Sequence, residues 1–404
     1  MEGIMKNTHV AQEVKKIEKL VPFMRRFLHQ YPELSNEEER TSAFIQDKLH
    51  EFGIPFEIGY AKYGVLGIIH GKSPGKTVAL RADMDALPIQ ELNDHPYRST
   101  YKNKMHACGH DAHMAMLLGA GYVLKHLREE FNGTVLLVFQ PAEEDAPEGG
   151  AQRLLNDGIF SQYVPDVIYG QHVWPDLPVG QIGVRDKEMM GASDRFEITL
   201  TGIGGHASMP HQTTDVMVTL AHIITSLQTI VSRSLDPLEA SVVTISKITG
   251  GEAANIIPNQ VKAEGSIRTY APSIRTRLKE RFFKIINQIA EAFDVKADII
   301  YQDGYPATIN NPKWAAVARQ TAKQINADTP EVNPSLAGED FSRFLEKFPG
   351  AFIWLGTQLD DATKQAPLHD ARFQINECAL PIGTSFLAQL AINTLHHLEE
   401  QSNN

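Results

Sequence analysis

Cysteine is nearly missing from this chain: Cys108 and Cys378 are the only two in 404 residues. So sparse a complement excludes a disulfide-stapled scaffold. With no apolar h-region at the amino terminus it points to a reducing compartment, the cytoplasm, and leaves Cys108 free for other chemistry. Positive charge is short as well, with 38 Lys+Arg against 49 Asp+Glu and a formal net charge of −11. No long block of like charges occurs, which argues against a phosphate backbone or an anionic membrane surface as a partner. No uninterrupted apolar run approaches the roughly 18 residues of a spanning helix. The opening MEGIMKNTHVAQEVKKIEKLVPFMRRFLHQ instead sets apolar residues at helical spacing among lysines and arginines. Internal repeats and low-complexity segments are absent too, which removes solenoids and arrays.

What is present is length enough for two domains and apolar content to fill both cores. PELSNEEERTSAFIQDKLHEFGI sets Ser35 three residues before Glu38, a capping-box spacing that predicts an amphipathic helix closing at Gly53. Short, continuous apolar runs follow in KTVALRADMDALP, TVLLVFQPAEED, DVIYGQHVWP and GAFIWLGT. Helical patterns such as AHMAMLLGAGYVLKHLREEF and GGAQRLLNDGIF separate several of them. Continuous runs belong to strands buried on both faces, so the pattern predicts an α/β domain with a mostly parallel open sheet covered by helices. From about Glu188 the texture changes: DRFEITLTGIGG and QVKAEGSIRTYA alternate apolar with polar residues, as half-exposed antiparallel strands do. Amphipathic helices, VMVTLAHIITSLQTIV and RLKERFFKIINQIAEAF, lie between them. The expected organisation is a discontinuous first domain, residues 1–187 and 303–404, interrupted by an inserted α+β domain over 188–302.

Ligands of open α/β sheets sit outside the carboxyl ends of the strands, and this chain loads those ends with chemistry. Asp83 and Asp85 close one run and share a face if the strand continues through both. Glu143 and Glu144 follow the next, His172 lies just past another, and His369 follows the last. HACGHDAH brings Cys108 and His110, with His106, Asp111 and His113, to the start of a helix. Singly, each has a plain reading: a histidine that makes a hydrogen bond, a solvated glutamate turn, a Cys–x–His short of a zinc-finger spacing. Their coincidence at strand ends is what counts. Thiolate, imidazole and carboxylate form the donor set for zinc, manganese or cobalt, and the carboxylate share suggests a catalytic site rather than a closed structural one.

MHACGHDAHMAMLLGAG, LRADMDALPI, FQPAEE, GQH, GIGGHASMPH, NIIPN, AGEDFS and PLHDARF occur in that general ensemble from about His29 to His369. Through them the chain resembles the metal-dependent aminoacylase, hippurate hydrolase and auxin–amino-acid hydrolase family. The resemblance implies Cys108, His110, Glu144, His172 and His369 as ligands of one or two divalent ions, with Glu143 as general base. It implies Asp85 as the acid that orients a ligand; Asp83 stands where related two-metal peptidases carry a histidine. Asp111 and His113 would support the ligands or the helix N-terminus, and His106 would be structural. The inserted domain would be a ferredoxin-like dimerisation and lid domain in which His206 stabilises an oxyanion across the dimer interface. Arg268 is either a clamp for the substrate's α-carboxylate or a surface salt bridge; Asn255 either binds substrate or shapes the turn before Pro258. Residues 338–341 would line the acyl pocket. Gln171, Asp370, Ala371 and Gln374 depart from the family pattern, which implies altered tuning or substrate choice with activity retained. The implied reaction is hydrolysis of a small N-acyl-L-amino acid to a carboxylate and a free amino acid. A dipeptidase or carboxypeptidase shares that chemistry. A metal-binding relative without activity is the third alternative, and Glu143 argues against it because a binder has no need of a base.

Overall fold

The computed structural model describes residues 9–402, so the first eight residues of the amino-terminal segment read above lie outside the described residues. The chain forms two compact units: one runs to Met189 and takes in Ile309–Asn333 and the chain from Asp340 onward; the other is Met190–Thr308 with Pro334–Glu339.

The first unit is built on a seven-stranded sheet in the order Phe56–Tyr60, Gly64–His70, Thr134–Gln140, Thr77–Asp83, Val167–Trp174, Gly350–Gly356, Ile182–Gly183. The four strands from Thr134–Gln140 to Gly350–Gly356 run parallel, and the edge strands join antiparallel. Thr134–Gln140 and Gly350–Gly356 are buried at every residue, as their unbroken apolar runs require. Alternate side chains separate onto two faces. Val135, Leu137 and Phe139 join a core with the helices His110–His126 and Leu380–Ser402, while Phe352 points the other way into Phe341. Leu117 and Leu118 on the first of these helices are wholly buried, each contributing roughly 1.5–3 kcal/mol.

That helix starts abruptly. Gly109 precedes it at φ 86°, and a Cβ there would lie 2.3 Å from Val173 Cγ2, so only glycine fits. The helix predicted near Ser35 runs Glu39–Glu51, but the capping box does not form. Glu33 accepts the Arg40 N–H (3.1 Å) and the Thr41 N–H (2.8 Å) instead. Ser35 and Glu38 turn away from the helix toward other partners.

In the second unit four antiparallel strands lie in the order Ser241–Gly250, Gln260–Thr269, Ala192–Thr201, Lys296–Gln302. With the helices Val216–Thr229 and Pro272–Ala292, the chain order is β-α-β-β-α-β, a ferredoxin-like arrangement. Phe196, Ile198 and Leu200 alternate inward to meet Leu220, Ile223, Leu278 and Phe282. Asp215 caps the first helix by accepting from the Met217 and Val218 N–H groups. This unit holds more chain than 188–302. Ser193 N–H bonds to Tyr305 O and Gly191 N–H to Ala337 O, both at 3.0 Å, which draws residues 303–308 and 334–339 into it. Local periodicity carries no trace of such backbone pairing.

Among the described residues, two helices have the length and mean hydropathy of a membrane span. Glu377–Gln401 is 78% buried and belongs to the first core; Val216–Ser234 lays Leu220, Ile223 and Leu227 on the second sheet.

Candidate metal centre

The strand Thr77–Asp83 ends at Asp83, so Asp85 lies in the loop beyond it rather than on a shared strand face. There it becomes an organiser. Its Oδ1 accepts the Glu143 N–H and its Oδ2 the Glu144 N–H, each at 3.0 Å, and Oδ2 also accepts the Ser35 hydroxyl at 2.6 Å. The Asp85 backbone carbonyl lies 2.8 Å from His110 Nδ1, which donates to it. That bond puts the ring proton on Nδ1 and leaves the buried Nε2 with no hydrogen-bond partner among the described residues.

His172 lies inside the strand Val167–Trp174 rather than past its end. Its Nδ1 donates to the Val173 carbonyl (2.7 Å), and Nε2 faces Cys108 Sγ at 3.4 Å. His369 has the left-handed φ of 66°; its N–H is anchored on Ala107 O at 2.8 Å and its Nε2 lies 3.1 Å from Glu144 Oε1. Donor atoms of Cys108, His110 and Glu144 all lie within 4.8 Å of one another. Zinc bonds of about 2.0–2.3 Å would bring tetrahedral donors to such separations. The orphaned His110 Nε2, the two fixed tautomers and the facing thiol make this donor set fit a divalent cation.

Asp83 and His113 brace the centre. Asp83 Oδ1 accepts from His113 Nδ1 (2.6 Å), and His113 Nε2 accepts the Val173 N–H (2.9 Å), so both ring nitrogens are occupied beside His172. Arg81, buried beneath, bonds Asp83, Gln140 and Asp340 at 2.8 Å each. The Asp340 N–H in turn lies 3.4 Å from Glu143 Oε1. Asp111 does not stop at the helix dipole: it accepts from Arg25 (2.7 Å) and His29 (2.8 Å). His106 is buried with neither ring nitrogen bonded among the described residues, and burial pushes its pKa down to about 3.

The electrostatics favour a cation. Burial and the neighbouring His113 hold His172 well below the usual imidazole range, in the neutral form a ligand needs. Burial opposes charge on His110 as well, but Asp83 and then Asp85 outweigh it and raise that imidazole to about 10. Asp83 Oδ2 lies 3.6 Å from His110 Nε2, so a positive charge at that nitrogen, a proton or a metal ion in its place, meets a buried acid.

Ser35 and Glu38 carry no motif signal as site residues, and their partners lie 50 and 104 residues away in sequence; Arg81 reaches Asp340 across 259 residues. Among residues 338–341, Phe341 is fully buried against Phe344 and Phe352 and Asp340 is in the Arg81 network, so neither lines an acyl pocket. The departures are absorbed locally: Asp370 pairs with Arg372 (3.1 Å), Gln374 bonds Asn93 (2.7 Å) and Gln171 meets the Met116 sulfur (3.4 Å).

In the second unit, His206 pairs with Ile256 across a two-residue ladder, and the Ala207 N–H bonds the Asn255 carbonyl at 3.0 Å, which makes His206 and Asn255 neighbours. His206 Nδ1 accepts from the Ser208 N–H (3.2 Å) and faces its hydroxyl at 2.8 Å. Arg268 is half-buried on the strand Gln260–Thr269 and makes no ion pair among the described residues, so the surface salt bridge does not form.

Thiol, imidazole and carboxylate groups within reach of one ion, with a second glutamate beside the first, fit a metal-dependent hydrolase. A model of Peptidase family M20/M25/M40 matches residues 79–393, and the chain belongs to that family. It is similar to the N-acetyl-L-cysteine deacetylase of Bacillus subtilis (strain 168), 41% identical over 384 residues, covering 95% of this chain and 90% of that one. Thermostable carboxypeptidase 1 of Saccharolobus solfataricus is 37% identical, over 95% of this chain and 97% of its own. Among solved structures, the YXEP protein of Bacillus subtilis, described as a dinuclear metal binding peptidase, superposes with a TM-score of 0.83 at 34% identity, covering 95% and 99%.

Proposed function

We propose that this enzyme is a metal-dependent amidohydrolase that splits small N-acyl-L-amino acids into a carboxylate and a free amino acid. One observation carries the reading: Cys108, His110 and Glu144 converge within 4.8 Å, and Glu143 sits beside the last of them in a turn clamped by Asp85. Cys108, His110, Glu144, His172 and His369 would hold one or two ions, with the thiolate favouring zinc or cobalt and the carboxylates admitting manganese. A bound ion of this kind lowers the pKa of its water and polarises the amide carbonyl. Glu143 takes the proton of the attacking water and delivers it to the departing amine. Asp85 keeps both glutamate N–H groups and His110 in register for that task.

The second unit supplies recognition. The Ser208 N–H on His206 Nδ1 leaves the ring proton on Nε2, the donor form that suits a developing oxyanion. Burial and the nearby Arg195 lower the pKa of Arg268 against the pull of Asp194, and the guanidinium makes no ion pair among the described residues, which supports its binding the substrate's α-carboxylate with Asn255 as a further polar contact. The strand Ser241–Gly250 is an edge with exposed Val242 and Ile248, and Met217 and Val218 are exposed on the neighbouring helix. Such an edge with apolar side chains supports a homodimer formed through this unit. The two free cysteines support a cytoplasmic setting.

The relative named a carboxypeptidase favours a second reading, peptide hydrolysis by the same machinery. Elemental analysis of the purified protein alongside amine release from N-acetyl, N-benzoyl and indole-acetyl amino acids and simple dipeptides tests both. Preference for dipeptides overturns the acyl-amino-acid reading. Glu143→Ala should retain its metal and lose roughly 10²–10⁴-fold in kcat; an active variant overturns the base.

A further inference from the structure

We infer that Ser35 and Glu38 are positioning residues for hydrolysis, holding the turn of residues 142–144 in the conformation that presents Glu143 and Glu144. The inference rests on the amidohydrolase reading above, in which those two glutamates are base and ligand.

The turn needs holding. Ala142, immediately before Glu143, has φ 56°, a left-handed conformation that a residue with a Cβ adopts unwillingly. Its N–H bonds Glu38 Oε1 at 2.8 Å, with Ala142 and Glu38 both buried, and its carbonyl accepts the Gly150 N–H at 2.8 Å. One residue further on, Asp85 takes over with Glu143 and Glu144. Ser35 steers that carboxylate: its hydroxyl bonds Oδ2 at 2.6 Å, which sets the plane in which the two oxygens meet successive N–H groups.

The segment that carries Ser35 and Glu38 is itself docked. Ala86 N–H bonds Glu33 O at 2.8 Å, and Leu34 bridges to Ala86 in parallel. Three consecutive peptide N–H groups, from 142 to 144, thus bond acids from two distant segments, Glu38 and Asp85. Burial and then the Asp85 charge push the Glu38 carboxyl up to about 8, so a neutral side chain with one acceptor oxygen serves here. A glutamine offers the same acceptor.

The test compares Glu38→Leu, Glu38→Gln and Ser35→Ala in the full-length, zinc-reconstituted enzyme, reading kcat and KM per folded chain, zinc affinity by chelator competition, and melting temperature. Glu38→Leu should lower kcat and weaken zinc binding each by about 10–100-fold. KM should stay within about threefold, since the substrate contacts are untouched. Glu38→Gln should remain within about threefold of wild type, and Ser35→Ala should lose about 3- to 10-fold in kcat. Wild-type kcat and zinc affinity in Glu38→Leu, or equal losses in Glu38→Gln, overturn the proposal. So does a lowered melting temperature with kcat per folded chain unchanged, which is what a merely structural contact would give. Should Glu38→Leu fail to fold, Ser35→Ala decides on the same two readings. If the wild-type enzyme hydrolyses no acyl amino acid, the amidohydrolase reading fails on its own, and the zinc-affinity comparison still decides this one.

Discussion

Replacing Asp340 by alanine should cost the first unit a large share of its stability. The side chain is fully buried and accepts from Arg81 (2.8 Å), from Gln140 Nε2 (2.8 and 2.7 Å) and from the Ala151 N–H (2.9 Å). Burial raises its carboxyl to about 6 against the pull of Arg81, so at pH 7.5 the anion predominates. Removing one member of a buried ion pair costs about 3–5 kcal/mol, because the other charge stays behind. Each stranded N–H adds about 1–3 kcal/mol, although such terms do not add fully, and Arg81 keeps Asp83 at 2.8 Å as a second partner. A net loss of about 4–6 kcal/mol follows, equal to roughly 7–10 °C in melting temperature for a unit of this size. Calorimetry of the metal-loaded enzyme reads the shift directly. A double variant, Arg81→Met with Asp340→Leu, removes both charges and should recover at least half of it, because well-packed apolar replacements of buried pairs are close to neutral. A shift below about 2 °C in Asp340→Ala would refute the reasoning, as would a double variant no more stable than the single one.

Two further outcomes are expected. Cys108→Ser should bind zinc at least about 10-fold more weakly than wild type, and wild-type affinity should rise with pH as the thiol and imidazoles give up protons, both measured by chelator competition; equal affinities in the two proteins would remove Cys108 from the ligand set. Burial works against a charged His29, yet Asp111 and the hydrogen bond to Glu91 prevail over Arg25 and raise its pKa. A raised folded pKa means stability that is complete below the ordinary imidazole value of about 6.5 and is lost as pH climbs through the folded value. Melting curves from pH 6 to pH 9 should therefore fall more steeply for wild type than for His29→Asn, and parallel curves would count against a charged His29.

Much of the fold was legible because its signals are local. Unbroken apolar runs marked the buried strands Thr134–Gln140 and Gly350–Gly356, and alternation marked Ala192–Thr201, since side-chain period and burial are properties of a few adjacent residues. The candidate donors were legible too, as residue types: Cys108 and His110 on either side of the glycine that opens a helix, Glu143 and Glu144 together, His172 and His369 apart. Spacing alone mistook Ser35 and Glu38 for a helix cap. A capping box differs from a pair of side chains bonded elsewhere only in where the oxygens point, and Glu33 was the nearer competitor for the helix N–H groups. Nor could spacing show that Phe341 is core, or that Asp340 answers to an arginine 259 residues away. The chain by itself determined which strands and donors exist, because hydrophobic period and side-chain chemistry need no partner. Which oxygen meets which N–H, and which nitrogen is left bare for a cation, was decided only when distant segments closed into a space without water, where each polar group must take whatever partner the packing brings.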